Sequence, residues 1–282
     1  MILQNGACIL KSSIFLLLNY VKYLKEITER KVGIILPIIN YIILKINEDE
    51  IYLHGLRILN HLIESNKNYS KLILKFISID NLIFFSTKSR LYFIIVIIGK
   101  LIDYMNGSLF NYVSFDAFEK IIQIYFEVKP ILYEMNLLFK TILRKGDIYV
   151  LDFLLRRKIL DFWLKNVKYS SIYISLLLNA IKISPDSFKM VKIMEILLTI
   201  LNENSSNYHL QLEILILIDS LFIKVNERRE KFLKEFLLND GISEFQKLII
   251  SPDIDVFTLS SKISEMASSY NTELNMKNKL FV

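Results

Sequence analysis

The sequence predicts an all-α protein whose helices stack in series as an α-solenoid of about seven repeats. Three observations support this prediction. An apolar segment recurs about every forty residues, apolar residues follow helical spacing, and only 7 glycines and 4 prolines occur among 282 residues. Because each repeat of a solenoid buries its apolar side against its neighbours, this length need not divide into two globular domains. We therefore expect one repeat domain at residues 1–268 and a frayed C-terminal tail at residues 269–282.

One position, here called the anchor, can be followed through all seven segments. Each anchor lies within an apolar stretch, about forty residues from the next, and a period in this range is typical of helical repeats. We expect each anchor to lie on the last helix of its repeat. The anchors are Asn19, Asn60, Gly99, Lys140, Asn179, Asp219 and Lys262.

Four features predict elements in the first part of the chain. Glu48-Asp49-Glu50 should lead into the helix of Asn60, because acidic side chains stabilise the first turn of a helix. We expect residues 82–85 to form a middle helix that is unusually short. Asp116-Ala117-Phe118-Glu119 fits a variant capping box with Asp116 as the cap, opening a helix through Tyr125. Trp163 has the phase of a middle helix, so we expect it in the core.

The C-terminal part carries clearer helix boundaries. Ser184-Pro185-Asp186 and Ser251-Pro252-Asp253 each fit a serine N-cap followed by a proline at the first helical position. The first should open one long helix, residues 186–201, where two helices are expected. Gly241 is placed to end one helix and release the next. The other expected helices are residues 210–223, 229–238, 242–250 and 253–268.

Composition excludes several classes of protein. The longest charge-free runs, residues 32–44 and 169–181, are 13 residues each, whereas a membrane-spanning helix needs about 20 apolar residues. The single cysteine, Cys8, forms no intramolecular disulfide and fits a reducing compartment. The first residues lack the basic region of a secretory signal. The net charge of +6 favours acidic partners.

No motif supports catalysis. The sequence lacks a glycine-rich phosphate loop, a Gly-x-Ser-x-Gly elbow and a His-Glu-x-x-His zinc motif. His54, His61 and His209 form no metal-ligand spacing with Cys8 or with one another. We therefore expect a non-enzymatic protein without a cofactor or a metal.

The segment Asn239-Asp240-Gly241-Ile242-Ser243-Glu244-Phe245, followed by Ser251-Pro252-Asp253 and a third helix, resembles an armadillo repeat. The likeness is clearest over residues 210–268, and the register can be followed from about Ser12. Within armadillo proteins the chain looks most like importin alpha, the adaptor that carries nuclear-localisation signals. The resemblance implies a right-handed solenoid with a concave groove, located in the cytoplasm and the nucleus.

The resemblance also implies site residues. In importin alpha a Trp four residues before an Asn forms pockets for lysine side chains, and the Asn half of this pattern matches at Asn19, Asn60 and Asn179. The Trp half matches nowhere, and Phe15 is the one aromatic residue in that column. The implied peptide-binding groove therefore consists of Asn19, Asn60, Asn179 and Phe15. The residue types alone equally allow these asparagines to cap a turn or to join repeats, and they favour solvated positions for Lys140, Asp219 and Lys262.

Two functions follow from these observations. The first is an adaptor of importin-alpha type that binds an extended protein segment on its concave face, in nuclear protein import. The alternative is an armadillo scaffold that docks on a large assembly or a ribonucleoprotein through basic faces, without binding nuclear signals. Its candidate contacts are Arg156-Arg157-Lys158 and Arg228-Arg229, for which a solvated turn is the commoner explanation. The sequence does not determine the oligomeric state.

Overall fold

The computed structural model describes residues 2–23, 27–167, 170–184, 193–204, 206–224 and 229–280. All regular secondary structure in these ranges is helical, which confirms the all-α prediction. Two short 3₁₀ turns, Leu109–Asn111 and Lys129–Ile131, accompany the α-helices. The α-helices are α1 (Ile2–Tyr23), α2 (Glu29–Lys45), α3 (Asp49–Ser65), α4 (Tyr69–Phe76), α5 (Ile79–Phe84), α6 (Leu91–Ile102), α7 (Phe115–Glu127), α8 (Leu132–Arg144), α9 (Ile148–Arg156), α10 (Ile159–Asn166), α11 (Ile172–Ile183), α12 (Ile193–Glu203), α13 (Tyr208–Lys224), α14 (Arg229–Leu238), α15 (Gly241–Leu248) and α16 (Ile254–Leu280).

The chain divides into two compact units, unit 1 (Met1–Val150) and unit 2 (Leu151–Val282). In unit 1 the anchor-bearing helices pack in chain order, α1 on α3, α3 on α6, and α6 on α8. A second row lies behind them: α2 packs against α3, α4 and α5, and α5 packs against α7. The apolar core of unit 1 lies between these two rows, so the outer side of the anchor row remains exposed.

Unit 2 has the same order of packing. The anchor-bearing helices α11, α13 and α16 pack in succession, while α12 contacts α13, α14 and α15. Trp163 on α10 is 1% exposed, which confirms its predicted place in the core. The rings of Phe222, Phe236 and Phe245 form two edge-to-face pairs with centroids 5.6 and 4.9 Å apart. Among the helices of the described ranges, none is both long enough and apolar enough to cross a lipid bilayer.

The N-terminus of α3 joins neighbouring helices through a buried arginine. Glu48 is the N-cap residue and Asp49 lies in the first turn, as the sequence predicts. Arg90, 4% exposed, donates from Nε to Asp49 Oδ1 at 2.6 Å, from Nη2 to the Asn47 carbonyl at 2.7 Å and from Nη1 to the Phe85 carbonyl at 3.1 Å. Its guanidinium carbon lies 4.0 Å from the ring centroid of Tyr52, and burial raises the pKa of Tyr52 to about 12.

Two predicted N-caps are each displaced by two residues. The cap of α7 is Ser114, whose hydroxyl accepts the Ala117 amide at 3.2 Å, and not Asp116. The cap of α16 is Asp253, whose carboxylate accepts the amides of Asp255 and Val256, and not Ser251. In both cases several residues that can cap occur in succession, so residue type alone does not select the one with the required geometry.

The last helix is longer than the predicted range of residues 253–268. Helix α16 continues to Leu280, through most of the residues expected to fray. The segment contains no glycine or proline that would end a helix after Ile254. Ser184, the predicted N-cap, is the C-cap residue of α11, and its amide donates to the Ala180 carbonyl. Pro185, Asp186 and the start of the long helix predicted after them lie outside the described residues. The short middle helix expected at residues 82–85 is observed as α5, with 6 residues.

Gly241 has a different role from the predicted one. The left-handed residue between α14 and α15 is Asp240, with φ of 56°, and Gly241 is the first residue of α15. A Cβ on Gly241 would lie 2.6 Å from three ring atoms of Phe236, which is itself fully buried. Glycine is therefore needed here for the close approach of a ring and not for a positive φ.

Replacing Gly241 with alanine is expected to lower the free energy of unfolding by about 1–3 kcal/mol, since the ring of Phe236 has no room to move away. Urea denaturation followed by circular dichroism measures this change. Gly33→Ala is the matched control, because a Cβ there would meet nothing within 4 Å and should stabilise α2 by about 0.5–1 kcal/mol. Equal stability of Gly241→Ala and the wild type would contradict the packing argument.

Candidate functional site

The exposed side of the anchor row in unit 1, formed by α1, α3, α6 and α8, is here called the anchor face. Large apolar side chains are exposed there at recurring positions. Tyr92 and Tyr133, each seven residues before an anchor, are 47% and 62% exposed. Leu16 and Leu137, each three residues before an anchor, are 67% and 40% exposed. Large exposed apolar and aromatic side chains that recur on one side of neighbouring helices are typical of a surface that binds another protein.

Asn60 on this face holds two helices together. Lys100 on α6 donates from Nζ to Asn60 Oδ1 at 2.6 Å and also pairs with Glu64. Asn60 in turn donates from Nδ2 to Glu64 Oε1 at 3.1 Å. The Lys100 hydrogen bond lowers the pKa of Glu64, although partial burial raises it. Asn60 is thus an inter-repeat contact with one amide hydrogen and one acceptor lone pair left for a ligand.

The other predicted groove residues are divided between the two units. Asn19 on α1 is half-buried, and no described residue forms a hydrogen bond with its side chain. Phe15 is 51% exposed, and its ring centroid lies 5.7 Å from that of His54, whose pKa burial lowers. Asn179 lies on α11 in unit 2 and donates to the Ser175 carbonyl at 2.8 Å. The anchor face of unit 1 therefore brings together Phe15, Asn19 and Asn60.

The column where importin alpha carries tryptophan faces the core in four of the anchor helices. Leu56, Ile95, Asn136 and Leu215, each four residues before an anchor, are at most 2% exposed. The buried amide of Asn136 is hydrogen-bonded, since its Oδ1 accepts the Tyr125 hydroxyl at 2.6 Å. An aromatic side chain at these positions would pack inside the protein, where it cannot stack on a bound lysine. These helices thus offer no lysine pocket of the importin kind.

Several residues that organise the face were not among the predicted site residues. Arg57 lies over the ring of Phe93, with 5.6 Å between the guanidinium carbon and the centroid, and Arg144 Nη2 lies 2.7 Å from Asp103 Oδ1. Asp103 and Arg144 each lie four residues after an anchor, so the repeat register could have identified the pair.

In unit 2 two anchors pair directly, since Lys262 Nζ donates to Asp219 Oδ2 at 2.9 Å. The sequence had favoured solvated positions for both.

A cleft of about 260 Å³ opens on the anchor face between α6 and α8. Ile95 and Leu138, each 2% exposed, contribute apolar side chains to it. The cleft exists because the anchor of α6 is Gly99, where a Cβ would only just reach Leu138 at 4.0 Å. The remaining lining residues are Val96, Lys100, Asp103, Glu134, Leu137 and Thr141.

The Lys100–Glu64 pair gives the face a pH dependence. A carboxyl group whose pKa is lowered on folding contributes stability above its ordinary value, 4.5 for Glu64, and loses it as the pH falls through the lowered pKa. We expect the free energy of unfolding to fall less between about pH 5 and about pH 3 in Glu64→Gln than in the wild type. Urea titrations at these pH values measure the difference. Glu127→Gln, at an exposed residue of α7, should retain the wild-type dependence, and identical pH profiles for all three proteins would refute the assignment.

Comparisons with known proteins support the fold alone. No family model and no curated protein matches this sequence. Two crystal structures of engineered proteins from the Northeast Structural Genomics Consortium are similar in structure. The first has a TM-score of 0.58 at 14% identity, covering 83% of this chain and 97% of that protein. The second has a TM-score of 0.59 at 13% identity, covering 82% of this chain and 57% of the longer engineered protein.

Proposed function

We propose that this chain is a non-enzymatic scaffold of stacked helical repeats, of armadillo type, that binds an extended protein segment on its anchor face. The observation that carries the proposal is that exposed tyrosines recur seven residues before the anchors of α6 and α8, and exposed leucines three residues before the anchors of α1 and α8. A core-forming role does not explain these side chains, because the same helices already bury their opposite sides. The stepwise packing of the anchor helices in each unit supports the repeat architecture.

The polar groups of the face suit a peptide backbone better than a reacting substrate. Four charged groups of the face are already paired, since Lys100 forms an ion pair with Glu64 and Arg144 forms one with Asp103. Asn19 has an amide with no hydrogen-bond partner among the described residues, and Asn60 retains part of its hydrogen-bonding capacity. Amides that can both donate and accept match the alternating N–H and C=O groups of an extended segment.

Selection of displayed random peptides on the full chain tests the proposal. Peptides that are enriched should bind by isothermal titration calorimetry, and Tyr92→Ala or Tyr133→Ala should each weaken binding about tenfold or more. Tyr149→Ala is the matched control, because Tyr149 is 71% exposed on α9, outside the anchor face. If no peptide is enriched, or if affinity is insensitive to Tyr92 and Tyr133, the proposal is wrong.

The importin-type version of the proposal requires binding of a lysine-rich localisation segment and a presence in both cytoplasm and nucleus. The asparagines at Asn60 and Asn179 support it, whereas the buried column four residues before the anchors does not. A lysine-rich peptide measured by the same calorimetry decides the question, with Asn60→Ala and Asn179→Ala as probes. Binding that both substitutions weaken supports transport, and no binding at any salt concentration removes the transport role while leaving the scaffold.

A second candidate function, docking on a ribonucleoprotein, is favoured by the basic turn between α9 and α10. Arg156, Arg157 and Lys158 are all exposed there, and Arg156 pairs with Asp152 at 2.6 Å. Arg228 of the other basic run lies outside the described residues. Fluorescence anisotropy with a uridine oligonucleotide tests this function, since phosphate contacts give an affinity that falls with salt by a log–log slope of about −0.7 per contact. No binding at low salt would exclude it.

A further inference from the structure

We propose that the cleft between α6 and α8 receives one aliphatic side chain of the bound segment, and that a lysine or arginine beside that side chain pairs with Glu134. This inference rests on the proposed function and adds the chemistry of the segment to it. It makes Gly99 the residue that determines specificity, because the absence of a side chain at this anchor keeps the cleft open.

The size and lining of the cleft match a single apolar side chain. A cavity of about 150 Å³ already holds a benzene-sized ligand, and this cleft has about 260 Å³. It lies below the range of about 300–1,000 Å³ that is usual for pockets that enclose small molecules. Val96, Leu137 and Leu138 supply apolar walls, so an aliphatic group that enters loses its contact with water.

The charges around the cleft select the neighbouring residue. Lys100 is paired with Glu64, and Asp103 is paired with Arg144. Glu134 is the lining carboxylate for which the described part of the chain provides no ion-pair partner. Glu134 is half-exposed at the cleft, so the charged group of a lysine or arginine in the bound segment can contact its carboxylate. A basic residue next to the aliphatic one therefore gains an ion pair, whereas an acidic one meets repulsion.

The test uses the peptides selected on the full wild-type chain. We expect enriched peptides to share an aliphatic residue next to a lysine or arginine. Gly99→Leu should fill the cleft and weaken their binding at least about tenfold by calorimetry. Gly33→Leu places the same side chain in α2, at a position open to solvent, and should leave affinity unchanged. If Gly99→Leu fails to fold by circular dichroism, Thr141→Leu fills the same cleft from α8 and replaces it.

Glu134→Gln separates the charge from the cavity. The wild type should prefer a selected peptide over its Lys→Gln analogue, and Glu134→Gln should bind the two peptides equally. Peptides whose affinity falls in Tyr92→Ala and Tyr133→Ala but is unchanged in Gly99→Leu would overturn this inference and leave the scaffold intact. Selected peptides with an acidic residue next to the aliphatic one would do the same. A selection that enriches no peptide would instead remove the proposed function itself, so the two failures are distinguishable.

Discussion

Replacing Arg90 with methionine is expected to lower the free energy of unfolding by about 2–4 kcal/mol. Methionine fills much of the same space but leaves the carbonyls of Asn47 and Phe85 without their buried donor. It also removes the cation over the ring of Tyr52. Asp49 contributes little to this loss, because it is half-exposed and keeps its hydrogen bond from Ser89 at 2.7 Å.

Urea denaturation followed by circular dichroism measures the effect of Arg90→Met. Lys88→Met is the matched control, since Lys88 lies two residues away in the same turn and is exposed. The control should change stability by less than about 0.5 kcal/mol. Equal stability of the two variants would show that the buried guanidinium does not hold α3 to the segment before α6.

Replacing Trp163 with alanine is expected to lower the free energy of unfolding by about 3–5 kcal/mol. Trp163 is 1% exposed, so its removal leaves a cavity that the surrounding helices cannot close without moving. Ile159 and Leu160, four and three residues before Trp163 on the same helix, are also buried.

Circular dichroism again measures the Trp163 effect, because Trp163 is the only tryptophan of the chain and its removal abolishes the fluorescence probe. Phe257→Ala on α16 is the control, since Phe257 is 42% exposed and should cost much less. In the wild type, the emission of Trp163 should shift to longer wavelength as unit 2 unfolds. A loss below about 1 kcal/mol for Trp163→Ala would contradict its role in the core.

Periodicity made the helical content and the anchor-bearing helices predictable from the sequence. The spacing of apolar residues reports which side of a helix is buried, and that signal is local. For this reason the positions of α3 and α13 and the burial of Trp163 agree with their predictions. Helix boundaries were less predictable, as Ser114 and Asp253 show, because a cap depends on the backbone angles of one residue among several of suitable type.

The residues of the anchor face were only partly predictable. Asn60 was identified by its place in the repeat, but its bonds to Lys100 and Glu64 require two helices to lie at a particular separation. The same holds for Gly241, whose need for glycine comes from the ring of Phe236, a contact that depends on how α14 packs on α15. The sequence alone does not report the distance between side chains that lie on different helices.

By itself the sequence determined that this chain is helical, which sides of its helices are apolar and where the repeat positions fall, because these properties depend on neighbours within one or two turns. The tertiary structure alone decided which polar groups are already used within the protein, where the missing side chain of Gly99 leaves a cleft, and which carboxylate beside that cleft stays available. These properties depend on side chains about forty residues apart in the chain, and only the packing of one helix on the next brings them together.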